Sequence, residues 1–408
     1  MTAPLPPGPA DGVLAQTVRL HRDPLGRLRA WQALFGDVFT IRLATARPIV
    51  VVASRSAVAE LLESDPAWAH AGEARRQVLP LASPRSAFGG DGEAHRGARA
   101  RVAAALAPGA LEPRRASMER LAEKHAEGWA RIRPVRLLPR VRTLVDDVFV
   151  RLVLGIEDEA RAQRAVAGLR RALATPGNPP LTVPGEGDGL AGALATRVFE
   201  RRLAPLAGTL LEEVRARRRD GEGGDDLIGA LLRAEPELPD EAVVDELVVV
   251  LAAAQEPPAV ALTRILLQGA PPEDAAIRET LRLWPPASAA LRRLTEPRVV
   301  AGRELPRGAD VMVPSPLLHR DARAFPDPDA FRPERWASGA ADEAAYLPFG
   351  GGARRCVGEP LAHLYFATLV PAILRRVRVR RVLWQERMVL RGTVLVPRRG
   401  GLAFVSRR

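Results

Sequence analysis

The run Leu-Val-Val-Val-Leu-Ala-Ala-Ala at positions 247–254 is apolar on every face that a helix could present. Such a helix has no side to turn to water, so other elements must enclose it. It lies within a predicted helix from Asp240 to Leu267, which puts one long buried helix at the centre of the fold. The same helix carries adjacent prolines, Pro257 and Pro258, directly after Glu256. Neither donates an amide hydrogen, so the carbonyls of Ala253 and Ala254 are predicted to lose their helical partners. A proline inside a helix costs about 3 kcal/mol and bends it. Two of them in the most buried helix mean either a tolerated kink or a use for the gap.

The rest of the chain supplies the enclosure. Residues 1–20, which open with several prolines, read as an extended lead-in. DVFTIRL (37–43) and RPIVVVAS (47–54) read as the two strands of a hairpin. From Ser56 to Leu232 the pattern is mostly helical, interrupted by ATPGNPPLTVPGEGDG (174–189), which suits a surface loop and a mobile lid equally. A shorter helix is predicted over Pro272–Trp284, then short strands at RVVAG (298–302) and DVMVPS (310–315). A proline-rich passage, a glycine loop and another helix follow, and the tail alternates like sheet. No repeat or linker divides the chain. The expectation is a single domain over 1–408, mainly α with smaller β regions.

Composition removes several functions. The chain is 408 residues long and 47% apolar, ordinary for a folded protein, with only 4% aromatics to pack its core. Its net charge of +12 is carried almost wholly by arginine, Lys124 being the only lysine. No zinc-finger spacing or interleaving of basic and aromatic residues points to nucleic acid, and an acidic protein partner suits the charge better. A single cysteine, Cys356, excludes intramolecular disulfides and four-cysteine metal sites. The start lacks a signal-peptide pattern, and no 18-residue apolar stretch is free of charge or proline. A cytoplasmic monomer without a membrane span is expected.

PFGGGARRCVGEP, residues 348–360, surrounds the lone cysteine. Gly350, Gly351 and Gly352 permit close approaches of the backbone. Arg354 and Arg355 bring positive charge, and the amides of a helix predicted to begin near Gly358 favour a thiolate. A lone cysteine is usually inert core filler, but these neighbours suit chemistry instead. A cysteine hydrolase would need a histidine base, and His363 follows along the same helix. A haem would need one axial thiolate, because the porphyrin supplies the other four ligands.

The loop resembles that of the cytochrome P-450 family, Phe-Gly-x-Gly-x-His/Arg-x-Cys-x-Gly. Phe349, Gly350, Gly352, Arg354, Cys356 and Gly358 fill every defined place. The resemblance implies haem b (iron protoporphyrin IX) with Cys356 as the axial iron ligand and Arg354 paired to a haem propionate. Two more motifs stand in the family's order. ETLR puts Glu279 and Arg282 on one helical face, and FRPERW supplies Arg335. By resemblance the three form a brace on the proximal side of the haem, a carboxylate between two guanidiniums. HRGAR places His95 and Arg99 where the family meets propionates, LRRLT offers Arg292 at the other propionate-binding place, and LLHRD offers His319 at the haem margin. Singly, each reads as an ordinary surface basic residue. Their order resembles the family over essentially the whole chain, and implies its fold, with the long central helix over the distal haem face.

That central helix departs from the family's pattern. Its usual core, Ala/Gly-Gly-x-Asp/Glu-Thr, here reads Ala253, Ala254, Gln255, Glu256, Pro257. The threonine that steers oxygen and protons is gone, which leaves Glu256 as the candidate proton relay. The segment from Pro257 to Glu279 is also about a dozen positions shorter than usual. The resemblance implies a haem-thiolate monooxygenase that inserts one atom of O2 into a medium-sized hydrophobic metabolite, such as a terpenoid, polyketide or fatty acid derivative. Electrons would come from a separate ferredoxin or flavodoxin with its reductase, since no flavin or nicotinamide fingerprint is present. Loss of the threonine leaves oxidative coupling, desaturation and peroxide-driven oxidation open, and a non-catalytic haem-binding protein is the alternative of another class.

Overall fold

In a computed structural model that describes residues 4–44, 47–78, 82–173, 190–221, 224–269, 273–384 and 386–408, helices dominate and the sheets are small. The chain opens with α1 (Val13–Arg22) and α2 (Pro24–Phe35), the latter capped by Asp23 and led by Pro24. β1 (Val38–Ile41) and β2 (Ile49–Val52) form the predicted hairpin, with Thr40 opposite Val50. α3 (Arg55–Glu63), β3 (Ala69–His70), α4 (Ala71–Val78) and α5 (Gly92–Ala105) come next. α6 (Pro108–Leu111), α7 (Arg115–Glu127), β4 (Val135–Arg136) and α8 (Leu137–Val148) follow. α8 shows why these segments coil. Leu137, Val141, Leu144, Val145 and Val148 recur at helical spacing and are all buried. α9 (Glu159–Leu173), α10 (Leu190–Asp220) and α11 (Leu227–Ala234) add further helices, the last capped by Asp226.

The predicted central helix is present as two helices, α12 (Asp240–Ala253) and α13 (Glu256–Gln268), which meet at Ala254 and Gln255. Leu247, Val248, Val249 and Leu251 are buried in α12, and every residue from Ala259 to Leu267 is buried in α13. Pro257 and Pro258 therefore occupy the first turn of a new helix. Amides there have no acceptor inside the helix, so a missing one forfeits nothing. The penalty expected for interior prolines does not arise. Gly269, at φ +74°, ends α13 in the left-handed conformation that glycine adopts without strain.

The remaining elements are α14 (Asp274–Leu283), β5 (Ala290–Leu294), β6 (Arg298–Val300), β7 (Arg303–Leu305), β8 (Asp310–Val313) and α15 (Ser315–Leu318). They are followed by α16 (Glu359–Arg376), β9 (Val377–Arg381), β10 (Met388–Arg391), β11 (Val394–Pro397) and β12 (Leu402–Arg407). The main sheet runs β1-β2-β8-β5-β3, antiparallel except for the parallel pair β2 and β8. β4-β12-β9 form a second sheet, while β6–β7 and β10–β11 are hairpins. One apolar core joins the helices to the C-terminal strands, and another fills the space between the main sheet and α2 and α3.

The lead-in expected over residues 1–20 ends earlier. From Val13 the chain is helical, because Gln16, Thr17 and Leu20 turn inward. The Gln16 side chain donates to the Pro9 and Asp11 carbonyls, at 3.1 and 2.6 Å, and accepts from the Arg42 amide at 2.8 Å. The first two bonds tie the helix to the proline-rich segment before it, and the third ties it to the end of β1. The break at 174–189 lies outside the described residues. No described helix is long and apolar enough to cross a membrane.

Candidate functional site

The cysteine loop takes its shape from glycine. Gly350 and Gly352 have φ of +70° and +61°, and a Cβ on Gly352 would collide with the Leu62 carbonyl at the end of α3. The turn that results brings the Cys356 amide to the Phe349 carbonyl at 2.8 Å. Cys356 is open at its surface although protein surrounds it densely, so it faces a hollow within the fold. Burial pushes its thiol up, against the pull of the Gly358 amide. The thiolate expected from the helix start thus needs a further positive partner, which a metal ion supplies. Ala253, at the end of α12, is likewise exposed between the buried Leu251 and Gln255.

Cations crowd this region. His95 on α5 is buried, and burial with the neighbouring Arg354 charge pushes its imidazole down to about 4, so it is neutral. Arg99, one turn along, is partly buried and within reach of the Cys356 charge. Arg292 on β5 is 1% exposed and donates only to the carbonyls of Leu291 and Leu62, at 2.9 and 3.4 Å. Its Nε has no partner among the described residues. Arg354 is more heavily engaged, although its Nε and Asp65 Oδ1 make no hydrogen bond among the described residues. It donates to the Gly90 carbonyl and to Asp91 Oδ1, each at 2.8 Å, and its Nε lies 3.0 Å from Asp65 Oδ1. Arg75 of α4, which the sequence motifs do not mark, also feels the charge of Cys356.

A haem fits these residues. A guanidinium held away from water is costly unless paired, and the buried Arg292 has no carboxylate partner among the described residues, nor has the half-buried Arg75. A group that carries two carboxylates, and iron for an open thiol, supplies what the hollow lacks.

Beside the loop, Glu279 accepts from Arg282 at 2.8 and 2.9 Å and from Arg335 at 3.1 Å, with all three side chains buried. The Trp336 indole and the Arg332 amide add bonds of 3.1 and 2.9 Å, which the sequence motifs did not predict. Arg282 also donates to the carbonyls of His319, Pro328 and Ala330. His319 belongs to this cluster, a correction to its expected place at the haem margin. Its Nδ1 lies 3.1 Å from the Arg282 carbonyl and its Nε2 accepts from the Leu347 amide at 2.8 Å. Both ring nitrogens are occupied by backbone, and burial pushes the imidazole down to about 3.

The expected relay is tethered. Glu256 accepts two hydrogen bonds from Arg142 of α8, at 2.8 and 2.7 Å. Asp146, one turn further along α8, is fully buried, lies 2.9 Å from Arg170 and stands against Gln255 at the helix break. The available signal for this group was two charges at i and i+4 beside a strongly apolar face of α8. The hydrolase alternative gains nothing. His363 is half-exposed with Nε2 3.8 Å from Glu359, and no hydrogen bond among the described residues joins it to Cys356.

A sequence model of the cytochrome P-450 family matches residues 271–401. The chain is 29% identical to the cytochrome P-450 named 135B1 of Mycobacterium tuberculosis, over 97% of this chain and 90% of that one. It is 28% identical to cyclooctatin synthase of Streptomyces melanosporofaciens, over 88% of this chain and 86% of the relative. Cyclooctat-9-en-7-ol 5-monooxygenase of the same organism is 33% identical over 53% of this chain and 52% of its own. Among solved structures, the retinoic acid-bound cyanobacterial CYP120A1 has the same fold, with a TM-score of 0.81 at 22% identity over 99% of this chain and 100% of that one.

Proposed function

This chain belongs to the cytochrome P-450 family, and from that membership we propose that it oxygenates a medium-sized hydrophobic metabolite of terpenoid type. The family makes it a haem-thiolate oxidoreductase with haem b as cofactor. When bound, the haem supplies the activation of O2 and the transfer of one oxygen atom to substrate. The protein holds, orients and screens. Cys356 presents its sulfur to the iron, and the buried cluster about Glu279 keeps the loop that carries it in place. His95, Arg99 and Arg292 stand by for the haem carboxylates.

On the distal side the usual hydroxyl is missing. The carbonyls of Ala253 and Ala254 face two residues without amide hydrogens, so both can hold water where the family has threonine. Glu256 reaches that water only by leaving Arg142. Val250, Ala289, Ala290 and Leu291, all partly exposed, are the apolar side chains we assign to the substrate wall. The terpenoid reading is supported by the relatives named for cyclooctatin chemistry. Oxidative coupling, desaturation or peroxide-driven oxidation is the second reading, favoured by Pro257 alone. Electrons reach the protein from a separate ferredoxin or flavodoxin with its reductase, and our reading places it in the cytoplasm as a monomer.

One observation carries this reading: the only cysteine stands open in a glycine-shaped loop, near the buried Arg292, which has no carboxylate partner among the described residues. The reduced protein with carbon monoxide should show the red-shifted Soret band of thiolate ligation, and Cys356→Ser should abolish it. Cyclic diterpene alcohols, screened by the spectral shift of the ferric protein and then by product analysis, test the substrate. Haem without product in the presence of redox partners would leave a binding protein and refute the enzymatic reading. On a generic substrate we expect more peroxide than product, and tight coupling there would remove the significance given to Pro257.

A further inference from the structure

We propose that Glu246 of α12 anchors a hydroxyl group of the substrate, so that the protein takes cyclic terpenoids that already carry an alcohol. The proposal rests on the terpenoid reading above and names the polar group that such a substrate presents.

Glu246 is an acid within an apolar stretch of α12 and is only 3% exposed. Its two oxygens differ. Oε2 accepts from the Ala87 amide at 2.9 Å, while Oε1 is buried with no partner among the described residues. A buried carboxyl oxygen left without a bond is costly. Arg101 of α5 acts on Glu246 through its charge, but its own hydrogen bond goes to Glu235 at 2.7 Å. Fixing the segment at Ala87 needs one acceptor, which a neutral side chain supplies at lower cost. The second oxygen is what the acid adds.

The helix places that oxygen. Glu246, Val250 and Ala253 recur at intervals of four and three, which makes them one stripe of α12. Ala253 is exposed and Val250 partly so, the latter on the wall assigned to substrate. Across from Glu246, Ala87 and Phe88 are partly exposed as well. The Phe88 ring lies 4.4 Å from the guanidinium of Arg75, which feels the charge of Cys356. The segment that Glu246 holds therefore runs from α12 towards the surroundings of the thiol. Glu246 stands about 10 Å from Ala253 along the helix axis, a distance that a fused-ring terpenoid spans. A hydroxyl bonded to Oε1 leaves the opposite end of the skeleton at the helix break.

The chemistry of the anchor selects an alcohol. Burial pushes Glu246 up to about 7, against the Ala87 amide and the charge of Arg101, with Asp245 adding to the rise. Near neutral pH the group thus visits both forms, a carboxylate that accepts and an acid that donates. A hydroxyl answers both, because it donates and accepts. A ketone only accepts, and an ammonium only donates.

The test titrates the full-length ferric holoprotein by its spectral shift. It compares dehydroabietinol with dehydroabietane, which differ only in the hydroxyl, and extends to other such pairs of cyclic diterpenes. The parent should bind the alcohol about tenfold more tightly or more, the scale of one hydrogen bond to a charged group. Glu246→Leu should abolish that preference. Glu246→Gln keeps an acceptor for the Ala87 amide, so it should melt close to the parent, bind the hydrocarbon unchanged and retain part of the preference. Product from the alcohol should carry its new oxygen at the end remote from the hydroxyl. Equal affinity of the parent for alcohol and hydrocarbon would overturn the proposal, as would a preference that survives Glu246→Leu. So would an equal loss of both affinities in Glu246→Gln, the mark of a purely structural latch, or new oxygen placed beside the existing hydroxyl. Failure of every cyclic diterpene, alcohol or hydrocarbon, to shift the parent's spectrum would instead refute the terpenoid reading beneath it.

Discussion

Arg142 of α8 grips Glu256 of α13 through two hydrogen bonds, Nε to Oε2 at 2.8 Å and Nη2 to Oε1 at 2.7 Å. The acid proposed as the proton relay is half of an ion pair between helices. Both side chains remain partly exposed, at 26% and 19%, so the pair stabilises the fold by about 1 kcal/mol at most. Breaking it is within reach during turnover. Arg142→Ala should therefore cost little stability while freeing Glu256, and should raise product formed per O2 consumed. Glu256→Gln should lower product formation by about 10-fold to 100-fold, the scale of a lost proton-transfer group. Oxygen uptake, peroxide and product measured together on one substrate check both.

The position of the two prolines makes a second expectation. Because they begin α13 instead of interrupting a helix, Pro257→Ala should change the folding free energy by less than about 1 kcal/mol. Relief of an interior proline would give about 3 kcal/mol. Denaturant unfolding of the two proteins distinguishes the cases.

Glu279 is fully buried among Arg282, Arg335, Trp336 and the Arg332 amide. Glu279→Gln leaves two guanidiniums without their anion, a loss on the order of 3–5 kcal/mol. Against a typical total of about 5–15 kcal/mol, that should sharply reduce the yield of folded holoprotein. The ratio of haem absorbance to protein in the purified variant gives the measure.

His319 sets part of the acid response. Its ordinary value is 6.5, and burial holds it down to about 3 in the folded protein. Below pH 6.5 the unfolded chain takes up a proton that the folded chain refuses, so stability present at neutral pH is lost as pH falls towards 3. His95, pushed down to about 4, acts in the same direction. His319→Gln should flatten that decline, as measured by urea midpoints at about pH 7.5 and about pH 5.

What the sequence disclosed depended on how local the signal was. The hairpin of β1 and β2, the amphipathic helices and the cysteine loop are written in residues a few positions apart, so periodicity and glycine spacing found them. The Glu279 cluster was legible only through a family pattern, because Arg335 comes from a separate stretch of chain. Arg75, Asp65 and Asp91 escaped notice for a different reason. Nothing in their surroundings in the sequence distinguishes them from surface charges, and only the packing of α4 against β5 and α5 gives them a role. His319 shows the opposite error. A basic residue in the expected order was assigned to the haem, although its ring is spent on backbone. The start of α1 was missed because proline content says nothing about a glutamine that anchors to a distant strand end.

Gly352 has its backbone pressed against the carbonyl of Leu62, a residue from the opening part of the chain. The mould for the thiol turn is therefore synthesised long before the turn itself. Contacts spanning so much intervening sequence form slowly, since the loop they close is large. A nascent chain halted ahead of residue 352 would have the mould and no ligand, while a fragment starting beyond residue 62 would have the ligand and nothing to shape it. Pigment should appear only once both ends of the polypeptide have met, so pulse-labelled cells should acquire colour later than they acquire helix.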